Sequence, residues 1–283
     1  MKYIKSFFII SLLLILAYSC TERIDVTLDD SYTRLVVDGS ITTDTLAHTV
    51  ILSKTSSYFY NQAPPAVTGA RLSITDGNQT INLKEDMPGV YRTDRTVYGI
   101  DGHTYTLNIK LASPIGGYTD YTASSLLHPV TKLDSVTLQL HTDWSKNGIW
   151  EVKCYVLEPP TVDFYRFLIS RNNHLLTDSL KEWFVTDDKL INGNYTNGIG
   201  IGYLDQGSSE EGLRQGDTIT VEVNNIGKEY FNFITDAQAE IRGSNPLFSG
   251  PPANVTGNIT NGAIGFFSAY SVTRSFAITP AFK

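Results

Sequence analysis

Cys20 is the residue whose type and position point most directly to chemistry. It follows an almost unbroken apolar run from residue 7 to residue 18, which is preceded by a short head with two lysines. A basic head, a short apolar core and a small residue before the cut site form the pattern of a secretory signal. A cysteine directly after the small Ser19 resembles a lipobox, in which the thiol is acylated, with palmitate among the acyl chains, and becomes the new N-terminus. We predict a cleaved signal peptide over residues 1–19 and a lipidated Cys20; a secreted protein or an uncleaved anchor is the alternative.

The residue types that catalyse hydrolysis or bind metals are scattered along the chain. The five histidines show no metal-ligand spacing, and no serine stands in a Gly-x-Ser-x-Gly elbow. Two acidic clusters, Asp187-Asp188 and the stretch from Asp205 to Glu211, do not match a calcium-binding loop. We interpret both as solvated loops, with incidental calcium binding as the alternative. We predict that the protein is not an enzyme and has no metal site and no cofactor; an envelope hydrolase is a further hypothesis, for which the sequence supplies no catalytic constellation.

Three consecutive aromatic residues, Tyr58, Phe59 and Tyr60, stand between a polar and a Pro-rich stretch, so we expect them on a long loop. Successive side chains of a strand point to opposite faces, so three in a row cannot all point inward. Because aromatic side chains stack on sugars and are enriched in interface cores, we predict ligand or partner binding here. The alternative is a loop that folds back and buries two of them. Trp144 and Trp183 allow the same interpretation more weakly.

A second candidate binding loop is the Pro- and Asn-rich segment from residue 245 to residue 261. Long loops in compact domains are often functional, and prolines lower the entropy lost when a loop adopts one shape. The alternative is a structural role, in which the segment covers a sheet edge and fixes the preceding helix. The candidate ligand- or partner-binding residues of this segment are Asn245, Phe248, Asn254 and Asn258.

Length and charge limit the classes of function. The chain has 283 residues and a net charge of −7; removal of residues 1–19, which hold two lysines and no acidic residue, changes that charge to −9. An acidic chain lacks the electrostatic footprint of a nucleic-acid-binding protein, so we predict no nucleic-acid partner. The remaining length suits two domains of about 100 to 150 residues.

The first half of the mature chain has the pattern of short strands joined by tight turns. Asp76 and Gly77 separate two runs of alternating polar and apolar residues, which is a strong hairpin signal. About seven such strands at regular spacing, without a helical period, are typical of a small sandwich. We predict a lipidated tether over residues 20–32 and an N-terminal β-sandwich over residues 33–128.

The second half, residues 129–283, combines strands with one helix. Apolar residues recur at three- and four-residue steps over residues 228–242, and Gly243 ends that pattern. Alternation on an earlier strand places Cys154 on the core face. The predicted fold class is mostly β: two tandem β-sandwich (immunoglobulin-like) domains, the second with one packed α-helix.

The opening Leu-Val-Val-Asp-Gly at residues 35–39 and the pattern near the C-terminus carry a family resemblance. The latter pattern consists of Asn245-Pro246, Pro251-Pro252, Gly257-Asn258-Ile259, Asn261-Gly262-Ala263 and Gly265-Phe266-Phe267. With the lipobox, these motifs resemble the Bacteroidota outer-membrane lipoproteins of the family called domain of unknown function 4249. The resemblance covers the whole mature chain. It implies a lipoprotein of a kind often encoded beside a TonB-dependent outer-membrane receptor, and it provides no catalytic residues to carry over.

We therefore expect a protein of the cell outer membrane that is lipid-anchored and surface-exposed. Its expected role is that of a non-catalytic accessory or ligand-capturing partner of a TonB-dependent receptor in nutrient uptake. The alternative is a surface carbohydrate-binding or adhesion module, which the aromatic loop and the 16 tyrosines favour. The expected partners are the outer membrane, the receptor and a glycan or peptide ligand.

Overall fold

The computed structural model describes residues 33–56, 63–242 and 255–282. The predicted signal peptide, the tether and the lipidated cysteine lie outside the described residues. So do six of the candidate binding residues: Tyr58, Phe59, Tyr60, Asn245, Phe248 and Asn254.

The described chain is mostly β, as predicted. Its first half forms the strands β1 (Leu35–Thr42), β2 (Thr49–Lys54), β3 (Arg71–Thr75), β4 (Thr80–Met87), β5 (Val90–Arg92), β6 (Thr104–Ile115) and β7 (Tyr118–Leu126). Its second half forms β8 (Ser135–His141), β9 (Ile149–Tyr155), β10 (Phe164–Arg171), β11 (His174–Leu175), β12 (Phe184–Asp187), β13 (Ile199–Asp205), β14 (Thr218–Asn225), the helix α1 (Lys228–Arg242) and β15 (Ile264–Ile278). A 3₁₀ turn, Leu180–Glu182, precedes β12.

The strands form two sheets. The larger has the order β11-β10-β14-β15-β1-β2-β5-β4-β3-β6-β7, with β12 also paired to β10. The smaller has three strands in the order β13-β9-β8. Among the described residues, no helix combines the length and apolar character needed to cross a membrane.

The strand β15 pairs with strands of both halves of the chain. Residues 264–270 pair in parallel with β1, in the register Val36↔Ile264 to Thr42↔Tyr270. Residues 271–278 pair antiparallel with β14. The last strand therefore joins the two halves into one sheet. The mostly β fold with one packed helix is confirmed, whereas the division at residue 128 into tandem immunoglobulin-like domains stays a prediction.

Two large apolar clusters form the core. The first lies in the first half and receives Phe267 and Ala269 from β15. The second lies in the second half, where the three-stranded sheet contributes Trp150, Val152 and Cys154. These three alternate along β9, which explains why they share one buried face.

The buried thiol of Cys154 gives a chemical prediction. The side chain is 1 % exposed, as its alternation predicts, and burial raises the pKa of the thiol to about 12. Only the thiolate is nucleophilic, so its fraction at neutral pH falls about a thousand-fold from that of a thiol with a pKa near 9. We expect iodoacetamide to leave Cys154 unmodified in the native protein and to label it fully in guanidinium, as read by mass spectrometry. Rapid labelling of the native protein would contradict this burial.

Candidate functional site

The outer face of the three-stranded sheet carries a group of aromatic and charged side chains, which we call the aromatic platform. It consists of His141, Trp144, Glu151, Lys153 and Tyr203. Because Trp150, Val152 and Cys154 of β9 face the core, Glu151 and Lys153 between them face outward. His141 ends β8, and Trp144 lies in the turn between β8 and β9.

The aromatic rings of the platform are arranged as a fixed surface. The Trp144 ring stacks on the His141 ring, with 3.7 Å between centroids and 6° between planes. The Tyr203 ring lies 5.8 Å from Trp144 at 51°. Trp144 and Tyr203 are both at least half exposed, so apolar ring surface is accessible to a ligand.

A carboxylate at the centre holds the platform together. Glu151 Oε2 lies 2.9 Å from His141 Nε2 and 3.2 Å from Lys153 Nζ. Lys153 Nζ also donates to Gln139 Oε1 at 2.8 Å. Burial acts to raise the pKa of Glu151, but the hydrogen bonds from His141 and Lys153 outweigh it and lower that pKa. The platform therefore presents apolar rings beside fixed hydrogen-bonding groups, which is the chemistry that recognises a sugar or a polar aromatic ligand.

A bulge in β13 brings Tyr203 to the platform. The pairing of β13 with β9 shifts register between Gly200 and Gly202, after which Tyr203 lies opposite Glu151. A bulge re-aims the side chains that follow it. An added Cβ at Gly200 would lie 2.6 Å from Glu151 Oε1 and 3.0 Å from Tyr203 Oη, so a larger residue would displace the ends of these two side chains. The sequence indicates Trp144 as an aromatic candidate, but its contact with Tyr203 depends on this bulge.

A second group of polar side chains lies inside the second half, and we call it the acidic cluster: Glu158, Asp163 and Asp188. Each is at most 6 % exposed, and one carboxylate oxygen from each lies within 4.8 Å of the others. The antiparallel pairing of β10 with β12 explains part of this arrangement. It sets Phe164 opposite Asp187, so the preceding Asp163 and the following Asp188 meet, and the Asp163 N–H donates to Asp188 Oδ2 at 3.0 Å.

Neutral donors surround the acidic cluster. Glu158 Oε1 accepts from Tyr165 Oη at 2.7 Å, and burial together with the two aspartates raises the pKa of Glu158 to about 7. Asp188 Oδ2 also accepts from Asn192 Nδ2 at 3.0 Å. Among the described residues, no lysine or arginine forms an ion pair with any of the three carboxylates. The arrangement provides oxygen ligands of the kind that hard cations prefer.

The solvated-loop interpretation of Asp187-Asp188 is wrong for Asp188. Asp188 is buried, whereas its neighbour Asp187 lies nearer the surface and pairs with Lys189. Sequence reasoning missed Glu158 and Asp163 altogether, because each is a single acidic residue without a ligand-like spacing. Only the fold brings the three together.

A comparison with protein-family models identifies the family of the chain. A family model described as domain of unknown function (DUF4249) matches residues 21–275. The chain belongs to this family. No curated protein matches it. The aromatic platform, the acidic cluster and most of β15 all lie within the DUF4249 region, and the predicted family resemblance is confirmed.

Trp183 of this DUF4249 protein is packed rather than fully presented to solvent. Its ring lies over the Arg166 guanidinium, 4.5 Å from centroid to Cζ, and its carbonyl accepts from Gln238 Nε2 of α1 at 2.8 Å. It belongs to a third apolar cluster, between β10 and α1. The structure does not bring Trp183 to the aromatic platform, and its binding role stays a prediction.

The side-chain amide of Asn258 links two strands by hydrogen bonds. Its Nδ2 donates to the carbonyls of Phe267 at 2.8 Å and Ser124 at 3.2 Å, and its Oδ1 accepts from the Phe267 N–H at 3.0 Å. The amide thus ties β7 to β15. Asn261 acts similarly, donating to the Asp120 carbonyl at 2.7 Å. The described part of the DUF4249 tail motif therefore has a structural role in this fold, and ligand binding by Asn258 stays a prediction.

Proposed function

We propose that this DUF4249 protein is a lipid-anchored, surface-exposed capture protein of the outer membrane. It binds a ligand without catalysis and works beside a TonB-dependent receptor in nutrient uptake. The lipobox-like Cys20 and the family membership support the location. The observation that carries ligand capture is the aromatic platform.

The platform suits capture because its rings are held before a ligand arrives. His141 is held by a hydrogen bond to Glu151, and Trp144 stacks on His141. A rigid aromatic surface loses little conformational entropy on binding, and polar groups at its edge fix the orientation of the ligand. A carbohydrate meets both requirements, because its C–H faces stack on rings and its hydroxyls bond to carboxylates and amines.

A surface carbohydrate-binding or adhesion module without a receptor is the second candidate function. The same stacking geometry favours it. The two candidates differ in whether the protein forms a complex with a membrane-embedded receptor.

We infer in addition that the two halves, residues 33–128 and 129–283, are β-sandwiches of immunoglobulin-like design. The support is that each half has its own buried apolar cluster. In this arrangement β15, which comes from the second half, also adds a strand beside β1 of the first half.

The anchor is tested by fractionation. We expect Cys20→Ser to move the protein from the membrane fraction to the soluble envelope fraction, because acylation of the thiol is lost. Ser19→Ala, which keeps a small residue at the cut site, is the matched control and should stay membrane-bound. A Cys20→Ser protein that remained in the membrane would contradict lipid anchoring.

Capture is tested on a glycan array and by isolation of the protein from detergent-solubilised membranes. We expect glycan binding to fall at least about tenfold in Trp144→Ala and Tyr203→Ala, since truncation of a central aromatic residue removes more than about 1.4 kcal/mol. Tyr98→Ala, which removes an exposed tyrosine of the first half, should bind as the wild type does. Co-purification of a large barrel protein supports the receptor partnership, and glycan binding without it supports the adhesion module. Equal glycan binding by the wild type and Trp144→Ala would exclude the platform as the glycan-binding site.

A further inference from the structure

We propose that the acidic cluster, Glu158, Asp163 and Asp188, is a Ca²⁺-binding site. The site lies in the second half of the chain. Glu158 follows β9, Asp163 precedes β10 and Asp188 follows β12. It does not depend on the proposed capture function.

The spacing of the carboxylates fits one shared cation. Ca²⁺ binds oxygen ligands at about 2.4 Å, so two ligands on opposite sides of one ion are at most about 4.8 Å apart. The three ligand oxygens all lie within 4.8 Å of one another. A point therefore exists within about 2.8 Å of all three oxygens, so small side-chain movements would bring them to the Ca²⁺–oxygen distance.

The negative charges of the three carboxylates also favour a bound cation. Three carboxylates are buried together, and the donors that reach them are neutral: Tyr165 on Glu158, Thr161 on Asp163 and Asn192 on Asp188. Like charges held close together in a buried place repel one another. A divalent cation would offset this repulsion.

A second, independent feature points to a ligand. Asn225 is 1 % exposed, and its amide is aimed at the acidic cluster: Nδ2 lies 2.7 Å from Asp163 Oδ1 and 2.7 Å from the Pro129 carbonyl oxygen. Its Oδ1 is buried and has no hydrogen-bond partner. A half-turn of the amide plane exchanges the two atoms and sets Oδ1 beside the two oxygens. Without a cation, that orientation would bring three oxygens together, and they would repel one another. A bound cation would coordinate all three, so Oδ1 would be a further ligand.

The ligand chemistry selects Ca²⁺ among common cations. Carboxylate, amide and carbonyl oxygens are hard ligands, whereas Zn²⁺ sites are built mainly from cysteine and histidine. Mg²⁺ retains several waters in octahedral geometry, while Ca²⁺ accepts six to eight oxygens in flexible geometry. A buried set of side-chain and backbone oxygens from several segments suits the latter.

The first experiment measures the wild type alone. The full chain, purified in detergent and stripped with EDTA, is titrated with CaCl₂ by calorimetry and heated with and without the ion. We expect one Ca²⁺ per chain and a rise in Tm of roughly 5–10 °C at about a hundred times Kd, with a smaller rise in MgCl₂. Tb³⁺ should show luminescence sensitised by Tyr165, and Ca²⁺ should displace it. No binding heat, no shift of Tm and no sensitised Tb³⁺ signal would overturn the site and leave three carboxylates that share protons.

The second experiment assigns the ligands. Asp163→Asn and Asp188→Asn should lose the Ca²⁺-dependent shift of Tm and weaken Tb³⁺ binding at least tenfold. Glu210→Gln, which changes an exposed acidic residue of another loop, should retain both signals. Retention of the full Ca²⁺ response by both aspartate variants would place the ion elsewhere and overturn the assignment.

Discussion

Replacing Gly265 by alanine should lower the free energy of unfolding by more than about 3 kcal/mol, an effect large for one added methyl group. Gly265 has a φ of +99°, and an added Cβ would lie 1.9 Å from the Val37 carbonyl oxygen. Val37 and Gly265 are register partners in the parallel pairing of β1 with β15. The clash therefore acts on the contact that joins the two halves of the chain. Urea unfolding followed by circular dichroism measures the change.

Gly216→Ala is the matched control for that substitution. Gly216 also has a positive φ, of +88°, but no atom lies within 4 Å of the position of an added Cβ. Only the conformational penalty remains, about 1–2 kcal/mol. If the two variants lose the same stability, the close approach of β1 to Gly265 does not determine the fold.

The same region shows why the DUF4249 tail is rich in glycine and asparagine. An added Cβ at Gly257 would lie 2.0 Å from the Gly265 carbonyl oxygen, so two glycines allow this close approach. Asn261 and Gly262 both have positive φ, which asparagine and glycine tolerate best. The tail motif is thus explained by backbone geometry and by the bonds that Asn258 makes between β7 and β15.

Local sequence patterns predicted local structure well. The Asp76-Gly77 signal corresponds to the hairpin of β3 and β4, in which Gly77 has a φ of +88°. The three- and four-residue spacing of apolar residues corresponds to α1, Lys228–Arg242. Both signals act over a few residues, because turn conformation and helix period are set by near neighbours.

Such local patterns did not predict which distant strands pair with one another. The parallel contact of Val37 with Gly265 links residues that are far apart in the sequence, and alternation within a strand does not specify its partner. The acidic cluster is missed for the same reason, since Asp163 and Asp188 meet only through the pairing of β10 with β12. Only part of the platform could be predicted from the sequence. Trp144 could be named as a candidate, but the stacking of its ring on His141 could not be predicted.

Arg166 lies at the centre of the contacts between β10, β14 and α1. It is buried, and its Nε and Nη2 both donate to Asn224 Oδ1, at 2.9 and 2.8 Å. Its guanidinium also lies over the rings of Trp183 and Tyr270, at 4.5 and 4.7 Å. Asn224 in turn donates to Glu222 at 3.0 Å. The planar cation thus combines a forked hydrogen bond with two ring contacts.

Arg166→Lys should lower the free energy of unfolding by about 2–4 kcal/mol, because an ammonium keeps the charge but loses the fork and the flat contact with both rings. Arg71→Lys, an exposed change on β3, is the matched control and should stay within about 0.5 kcal/mol of the wild type. Urea unfolding gives both values, and tryptophan fluorescence should shift to longer wavelength in Arg166→Lys as Trp183 loosens. Equal stability of the two variants would mean that charge alone, rather than the shape of the guanidinium, satisfies this buried position. The expected difference instead makes Arg166 the group that fixes Trp183 against α1, so any partner that binds Trp183 meets a ring already held in place.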